Sequence, residues 1–483
     1  MSKSLVKNSF YNTLYKLVTA LYPLVAVTYV SHILLSEKMG LVSYSQNIVS
    51  YFTVVAALGI PTYGIRETAV RANDKEKCSQ LFWELFIINV CSTTIAVISY
   101  VVLVLAVDKF SEYKTLYAIA GLQIVFNYLN VDWFYQGIED YKYISVRSIA
   151  VKLIALIALP LVIHTQDDYL WYALIYCLAI GGNNIFNIIR IRKYICKPCF
   201  KLKILKHLKS ISILLMVSIA VEVYAMIDTT MLGFFCDDSI VGCYSNAMKL
   251  TRMVTTMATA VGTVLFPRLS VIYSNKQEEQ FNELVNKGIK IMLMIALPAS
   301  VGLIVCSKSI ILLFFGNTFE KAIPLLRILA LMVPIIACNT LMGGQVLVTT
   351  NQESRYVITV IIASIVNVIL NANCIPIFGA TSAAIASLIS ELIDLILYNW
   401  FARKYVHLHF SKRYIISIIV PLSMYCVVSR VIITQMQLNS FFTLMWNVIV
   451  CVGLYVGLGY IMKNESIILV FEKCRKFLKH GNV

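Results

Sequence analysis

The chain contains about fourteen apolar segments, each long enough to cross a lipid bilayer as a helix. A spanning helix needs about 20 consecutive apolar residues, and short polar connections separate the segments. Charged residues make up 14% of the chain, roughly half the share of about 25% in soluble domains. The sequence therefore predicts an all-α polytopic membrane protein with about 14 transmembrane helices and no separate globular domain.

The distribution of basic residues predicts the orientation of the chain in the membrane. The net charge is +16, but in a membrane protein its placement indicates topology rather than binding to nucleic acid. Alternate connections carry 30 Lys and Arg residues on one side of the membrane and six on the other. Because cytoplasmic connections are enriched in Lys and Arg, we expect both termini to be cytoplasmic.

The most basic connection divides the chain into two parts. Residues 190–210 contain eight Lys and Arg residues and no acidic residue, which indicates a cytoplasmic linker near anionic lipid headgroups. A weak repeat supports two halves, since Tyr44-Ser45 and Tyr244-Ser245 open corresponding helices 200 residues apart. The predicted parts are a six-helix bundle, the basic linker, a second six-helix bundle, two additional transmembrane helices and a cytoplasmic tail, at residues 1–189, 190–210, 211–402, 403–462 and 463–483.

Ten ionisable residues lie inside predicted spans. A charge near the bilayer centre costs about 2.5–3.5 kcal/mol, so we expect most of these side chains to face one polar cavity or one another. Two like-charged pairs have i,i+3 spacing and therefore share a helix face. The ten residues are Lys16, Asp132, Lys152, Glu222, Asp228, Lys249, Arg252, Arg327, Glu391 and Asp394.

The cations and the acids suggest different roles. Lys249 and Arg252 predict a cationic wall for an anionic ligand, together with Lys16 and Arg327. The alternative is a set of structural salt bridges to the intramembrane acids. Acids in a polar cavity are also candidates for H⁺ or Na⁺ coupling; the candidates are Glu222, Asp228, Asp132, Glu391 and Asp394.

Amide side chains form stripes on several predicted helices. Amides suit hydrogen bonding to sugars, although in membranes they more often tie helices together, and both readings stay open. The candidate sugar contacts are Asn127, Asn183, Asn187, Asn367 and Asn371.

Motifs of common enzyme classes are missing from the sequence. It contains no P-loop, no His-Glu-x-x-His and no Gly-x-Ser-x-Gly. We therefore predict no catalytic residue, no metal site, no cofactor apart from a coupling H⁺ or Na⁺, and no enzymatic activity.

Several short segments resemble the Wzx-type polysaccharide-export flippases. The matches extend from the N-terminus to the end of the twelfth predicted span, and the Asp-Trp-Phe-Tyr-Gln-Gly segment is the most specific. The segments are Leu58-Gly-Ile-Pro-Thr-Tyr-Gly-Ile-Arg-Glu67, Leu81-Phe-Trp-Glu84, Val131-Asp-Trp-Phe-Tyr-Gln-Gly-Ile-Glu-Asp140, Asp228-Thr-Thr-Met-Leu-Gly233, Val241-Gly-Cys-Tyr-Ser245 and Val264-Leu-Phe-Pro-Arg-Leu269.

The resemblance implies a fold like that of multidrug-and-toxin (MATE) exporters, with two six-helix bundles around a cationic cavity. It implies that the protein moves an undecaprenyl-pyrophosphate-linked oligosaccharide across the bacterial inner membrane by alternating access, for O-antigen, capsule or exopolysaccharide assembly. The partners would be this lipid-linked oligosaccharide, membrane lipids and polysaccharide polymerase or assembly proteins. Two alternatives stay open, namely an ion-coupled drug or small-solute exporter of the same fold and a membrane scaffold without transport.

Overall fold

The computed structural model describes residues 3–196, 202–435, 439–469 and 471–472. These residues form α-helices, short 3₁₀ turns and one π-helical turn, with no strand among them. The helices are α1 (Lys3–Ala57), α2 (Ile60–Arg71), α3 (Lys75–Ala106), α4 (Asp108–Glu112), α5 (Lys114–Phe126), α6 (Asp132–Gly137), α7 (Tyr141–Val162), α8 (Tyr169–Ile180), α9 (Ile185–Ile191), α10 (Leu205–Phe235), α11 (Asp238–Ser274), α12 (Glu278–Val305), α13 (Ser307–Phe315), α14 (Ala322–Ala330), α15 (Met332–Leu341), α16 (Glu353–Phe378), α17 (Ala380–Ala402), α18 (Lys412–Gln435) and α19 (Ser440–Ile461).

The prediction of an all-α polytopic membrane protein is confirmed. Ten helices in the described part of the chain are long and apolar enough to cross a bilayer, or eleven when the bent pair 166–180 and 182–191 is taken as one span. Several predicted spans consist of two or more shorter helices, for example α5 with α6 and α14 with α15. The number fourteen stays a prediction.

The first two predicted spans, residues 10–35 and 41–63, form two helical segments that meet at a kink within α1, and the second span ends in α2. α1 is 55 residues long, and its backbone leaves the helical region at Leu35, where φ is 59°. At 1.5 Å per residue, 55 residues are far longer than the roughly 30 Å of hydrocarbon in a bilayer. The break coincides with the predicted connection between spans one and two.

Many helices expose apolar side chains on one face, as expected for contact with lipid. On α7 the exposed residues Leu153, Ile154, Ile157 and Leu161 recur at helical spacing. In a soluble protein such a continuous exposed stripe would be unusual. The exposed face is therefore the lipid-facing face of the helix.

The chain divides into two compact units, residues 1–242 and residues 243–483. In the first unit α10 packs against α1 and α2, and Asn47 Nδ2 of α1 donates to Thr230 Oγ1 of α10 at 2.7 Å. α10 begins the predicted second bundle, but it packs with the helices of the first unit. The two units are defined by packing, whereas the predicted bundles are defined by the order of spans along the chain. The predicted domain boundaries therefore stay a prediction.

Two of the family-like segments pack directly against each other in the first unit. α2 carries Gly64 and α6 carries Gly137, and a methyl group on Gly64 would lie 2.5 Å from the ring of Trp133. A methyl group on Gly137 would lie 2.5 Å from Thr68 Cβ. Glycine is required at both positions because the two short helices approach this closely.

Candidate functional site

Of the four predicted cations, the structure describes two on α11 and one on α14. Lys249 is half-buried on α11 and its Nζ lies 3.4 Å from Asn246 Oδ1, whereas Arg252 is exposed on the same helix. Arg327 is exposed on α14 and donates from Nε to Ser307 Oγ at 2.8 Å. The Lys16 side chain lies outside the described residues. The predicted cationic wall stays a prediction.

Two predicted acids of the second unit lie in a polar cluster on α17. Asn339 Nδ2 donates to Glu391 Oε2 at 2.8 Å, which ties α15 to α17. Asp394 is buried, and its Oδ1 accepts no hydrogen bond. One turn further along α17, the ring of Tyr398 stacks on Tyr356 of α16, with ring centroids 5.6 Å apart. A buried carboxylate with an unused acceptor can take up a proton or a small cation.

The same part of the second unit contains the π-helical turn. Residues Met342–Leu347 continue α15 and pack against α17, and a methyl group on Gly343 would lie 2.7 Å from the ring of Tyr398. Gln345 in this turn is buried, and its Oε1 accepts no hydrogen bond. π-Helical turns occur frequently at functional sites, which adds weight to the cluster around Asp394.

The other two predicted acids lie in the first unit. Asp228 is buried and Glu222 is half-buried, both on α10. Their predicted role in ion coupling stays a prediction.

Asp132 belongs to a buried ion-pair network in the first unit. Arg147 Nη2 of α7 donates to Asp132 Oδ1 at 2.7 Å and to Oδ2 at 3.0 Å. Asn187 accepts from Arg147 Nη1 and donates to Asp132 Oδ1 at 2.9 Å. Each of the three side chains is hydrogen-bonded to the other two. The network therefore joins α6, α7 and α9.

Lys152 lies one and a half turns after Arg147 on α7. Its side chain is buried, and Nζ donates to Thr19 Oγ1 of α1 at 2.7 Å and to Ser148 Oγ at 3.1 Å. The ammonium also lies 5.4 Å from the ring centroid of Tyr15. The hydroxyl groups and the ring solvate a buried cation on the interface between α1 and α7.

The predicted sugar-binding amides make hydrogen bonds inside the helix packing. Asn127 Nδ2 donates to Asn89 Oδ1 at 3.0 Å and to Thr93 Oγ1 at 2.9 Å. On α16, Asn371 Nδ2 donates to Asn367 Oδ1 at 3.0 Å, and both residues are buried. For Asn127, these contacts favour the interpretation that the amide ties helices together. The hydrogen bonds of Asn187 favour the same interpretation for Asn187.

Asn183 differs from the other amides. It is buried and donates to the carbonyl of Ile180 at 3.0 Å, while its Oδ1 accepts no hydrogen bond. It lies at the bend between α8 and α9, where two glycines precede it. Contact of Asn183, Asn367 or Asn371 with sugars stays a prediction.

A buried hydrogen-bond network that was not predicted from the sequence includes residues of two family-like segments. Glu84 of α3 is fully buried; it accepts from Lys206 Nζ at 2.8 Å and from the backbone N of Lys203 at 2.8 Å, and its Oε2 lies 2.8 Å from His207 Nε2. His207 Nδ1 lies 2.7 Å from the hydroxyl of Tyr63 on α2. The start of α10 is thus held on α2 and α3 by the acid in Leu81-Phe-Trp-Glu84.

The second unit also contains an apolar cavity of about 670 Å³. Residues of α12, α13, α18 and α19 line it, including Met294, Pro298, Tyr425 and Val448. Pro298 removes a backbone donor within α12 and permits a bend beside the cavity. A cavity with this lining fits an aliphatic chain better than a polar solute.

Within the described residues, no group of three or more His, Cys, Asp and Glu side chains is arranged to hold a metal ion. The site therefore consists of intramembrane charges, amides and an apolar cavity in a helical membrane protein.

The model of the family described as polysaccharide biosynthesis protein matches residues 5–273. The chain belongs to this family. The match covers more than half of the chain and includes all the family-like segments up to Val264-Leu-Phe-Pro-Arg-Leu269. The predicted membership in the Wzx-type flippases is thereby confirmed. A second family model, described as MatE, matches residues 214–373.

Several curated relatives of this polysaccharide biosynthesis protein resemble long parts of the chain. It is 21% identical over 406 residues to a proposed O-antigen transporter of Escherichia coli, covering 83% of this chain and 97% of that one. The corresponding protein of Shigella dysenteriae is 23% identical over 384 residues, covering 77% and 93%. A proposed low-salt glycan biosynthesis flippase of Haloferax volcanii is 27% identical over 242 residues, and the chain spans about half (51%) of its length.

The fold of this chain is similar to the folds of solved structures. The inward closed conformation of the lipid II flippase MurJ superimposes with a TM-score of 0.72, at 17% identity, covering 96% of this chain and 100% of that one. An inward-facing MATE multidrug transporter superimposes with a TM-score of 0.62, at 15% identity, covering 83% and 98%. The predicted MATE-like fold is confirmed.

Proposed function

We propose that this protein is a flippase that moves a lipid-linked oligosaccharide from the cytoplasmic to the outer leaflet of the bacterial inner membrane. The match to the polysaccharide biosynthesis family over residues 5–273 carries the proposal. The fold, shared with a lipid II flippase, supports it. Both termini are then cytoplasmic, as the distribution of Lys and Arg predicts. Polysaccharide polymerase or assembly proteins would receive the product.

The proposed substrate is an oligosaccharide on undecaprenyl pyrophosphate, which has three chemically different parts. The anionic pyrophosphate would be attracted by Lys249 and Arg252, with Lys16 and Arg327 contributing to the field. The apolar cavity beside Met294 and Pro298 would hold part of the polyprenyl tail. Amide and tyrosine side chains would replace the hydration of the sugars.

We propose alternating access as the mechanism. Several membrane helices contain a proline, among them α1 at Pro23 and α12 at Pro298, and Pro334 lies in the first turn of α15. A proline in the interior of a helix, such as Pro23 or Pro298, removes a backbone hydrogen bond and lowers the energy of bending. The π-helical turn after α15 is a further site at which a helix can change its pitch.

The ion coupling proposed for the second unit predicts the effect of changing Asp394. The Asp394→Asn variant keeps the size of the side chain but cannot bind or release a proton. We expect transport by this variant to lose its dependence on an imposed H⁺ or Na⁺ gradient, with the protein level unchanged. The measurement is transport into proteoliposomes with and without each gradient, with Asp237→Asn, an exposed acid outside the spans, as the control.

A host that makes a surface polysaccharide tests the proposed transport. In a strain whose own flippase gene is deleted, wild-type protein should restore the polysaccharide. The double variant Lys249→Ala and Arg252→Ala should leave lipid-linked repeat units accumulated at the cytoplasmic face, because the headgroup loses two cations. The matched control changes two exposed cations in the same region, Arg268→Ala and Lys276→Ala, and should restore export.

The result that contradicts the cationic site is normal export by the double variant at normal protein level. Failure of the wild-type protein to restore export in any polysaccharide-producing host would contradict the flippase assignment itself.

An ion-coupled exporter of drugs or small solutes is the second candidate. The match of the MatE model to residues 214–373 favours it, since MATE transporters share the fold. An exporter of this kind would lower the cellular content of a cationic dye in a host that makes no surface polysaccharide. A flippase specific for lipid-linked sugars would leave the dye content unchanged.

A further inference from the structure

We propose that the first unit has a binding site for the phosphate headgroup of a membrane lipid, separate from the predicted cationic wall of Lys16, Lys249, Arg252 and Arg327. The site is a cavity of about 330 Å³ between α7 and α9. Three cations, one tyrosine and two apolar residues line it, namely Arg147, Arg190, Lys193, Tyr143, Phe186 and Ile189. Lys193 lies just beyond α9 and is exposed.

The two guanidinium groups are held close together by one aromatic ring. The Cζ atom of Arg190 lies 4.2 Å from the ring centroid of Tyr143, and that of Arg147 lies 5.2 Å from the same centroid. The hydroxyl of Tyr143 donates to the carbonyl of Phe186 at 2.8 Å, which fixes the ring. Two cations around one ring repel each other, so a neighbouring anion would stabilise the arrangement.

Acidic residues of the first unit pair with only some of the donor groups of these arginines. Arg147 is paired with Asp132 and Arg190 with Asp140. The Nε atoms of both arginines are nevertheless buried and make no hydrogen bond. Buried donors are almost always satisfied in native proteins, so two orphaned donors beside one cavity point to a missing acceptor.

Phosphate oxygens match this donor set. Each Nε–H group can donate one hydrogen bond to a phosphate oxygen, and such charge-assisted bonds from a guanidinium group are strong. The ammonium of Lys193 adds a third positive charge from the open side of the cavity. The paired acids Asp132 and Asp140 leave the group with one net positive charge, which favours an anion.

The position of the cavity indicates that the phosphate belongs to a lipid. Tyr143 lies in the first turn of α7 and Arg190 in the last turn of α9, which are ends of candidate spans. Phe186 and Ile189 are 47% and 70% exposed, as expected of side chains that face acyl chains. Cations at the end of a span with apolar neighbours are positioned for a headgroup at the membrane surface.

The inference does not rest on the proposed function, because binding is measured without transport. Two lipid sources are compatible with the site, a phospholipid such as phosphatidylglycerol and a polyprenyl diphosphate. Free phosphate is a third source of the same chemistry. The experiment therefore uses three probes, namely phosphatidylglycerol, undecaprenyl diphosphate and inorganic pyrophosphate.

Purified full-length protein in a neutral detergent would be titrated with each probe, and native mass spectrometry would count the bound molecules. The main variant is Lys193→Gln, since no ion pair of the fold includes Lys193 among the described residues. The second variant is Arg190→Gln. The matched control is Arg192→Gln, which removes an exposed cation of the same segment that does not line the cavity.

We expect Lys193→Gln and Arg190→Gln to bind at least one of the two lipids about tenfold more weakly than wild type, as the loss of a charge-assisted contact implies. The control should bind like wild type, and inorganic pyrophosphate should bind more weakly than that lipid. The lipid that responds identifies the source. Equal lipid binding by wild type and both variants would overturn the site, and tighter binding of inorganic pyrophosphate would overturn its assignment to a lipid.

Discussion

Replacing Arg147 by alanine is expected to lower the free energy of unfolding by about 3–5 kcal/mol. The guanidinium of Arg147 is 5% exposed and binds both oxygens of Asp132 as well as Asn187. Its removal leaves an uncompensated carboxylate and an amide oxygen without a donor inside the first unit. Thermal unfolding of purified protein in detergent measures the change, and the polysaccharide of the complemented host should fall with it.

A double change separates charge pairing from other effects of the alanine substitution. Asp132→Asn combined with Arg147→Met removes both charges, and we expect it to be more stable than Arg147→Ala alone. The control is Arg66→Ala, which removes an arginine that is 65% exposed and 3.4 Å from Glu67; an exposed pair contributes only about 0–1 kcal/mol. Equal melting temperatures for Arg147→Ala and Arg66→Ala would contradict the network.

Changing Glu84 to alanine should release the start of α10 from the rest of the first unit. The carboxylate of Glu84 accepts from Lys206 and from the backbone of Lys203 and contacts His207. Its loss removes the acceptor that these three groups share, and it leaves Nε2 of the buried His207 without a partner. We expect a loss of about 3–5 kcal/mol and faster tryptic cleavage after Lys203 and Lys206. Limited proteolysis followed by mass spectrometry measures the second effect at the individual bonds.

The variant Glu84→Gln provides an intermediate case, because an amide oxygen still accepts hydrogen bonds but carries no charge. Its stability should lie between those of wild type and Glu84→Ala. Glu76→Ala, which removes an exposed acid from the same helix, serves as the control. Cleavage after Lys203 at the same rate in Glu84→Ala and Glu76→Ala would show that Glu84 does not hold this segment.

Hydropathy located the membrane helices well but only one of the breaks within them. The predicted connection between spans one and two falls where α1 leaves helical geometry at Leu35, because polar residues interrupt the apolar run there. The break in the fourth span after Phe126 and the π-helical turn at Met342–Leu347 interrupt apolar sequence. Those breaks depend on contacts with other helices, such as the bond from Asn184 Nδ2 to the carbonyl of Phe126, which hydropathy does not contain.

The candidate site could be predicted only in its residue types. The intramembrane position of Asp132 is apparent from sequence. Arg147 is one of the 30 Lys and Arg residues assigned to the cytoplasmic side, so its pairing with Asp132 was not predicted. The unpaired acid in the Asp-Trp-Phe-Tyr-Gln-Gly segment was the available signal, since a buried carboxylate requires a cation nearby. Glu84 also lies in an apolar run and gives the same signal, but its partner His207 is 123 residues away in the chain and meets it only through packing.

Translocation by the purified protein is the measurement that tests the central claim most directly. Vesicles would be prepared with an undecaprenyl-pyrophosphate-linked oligosaccharide in both leaflets, and an added enzyme that cannot cross the membrane would modify the sugars of the outer leaflet. If the protein is a flippase, the enzyme should modify almost all the substrate when wild-type protein is present and about half when it is absent. Modification of only half the substrate in the presence of correctly folded wild-type protein would contradict the account.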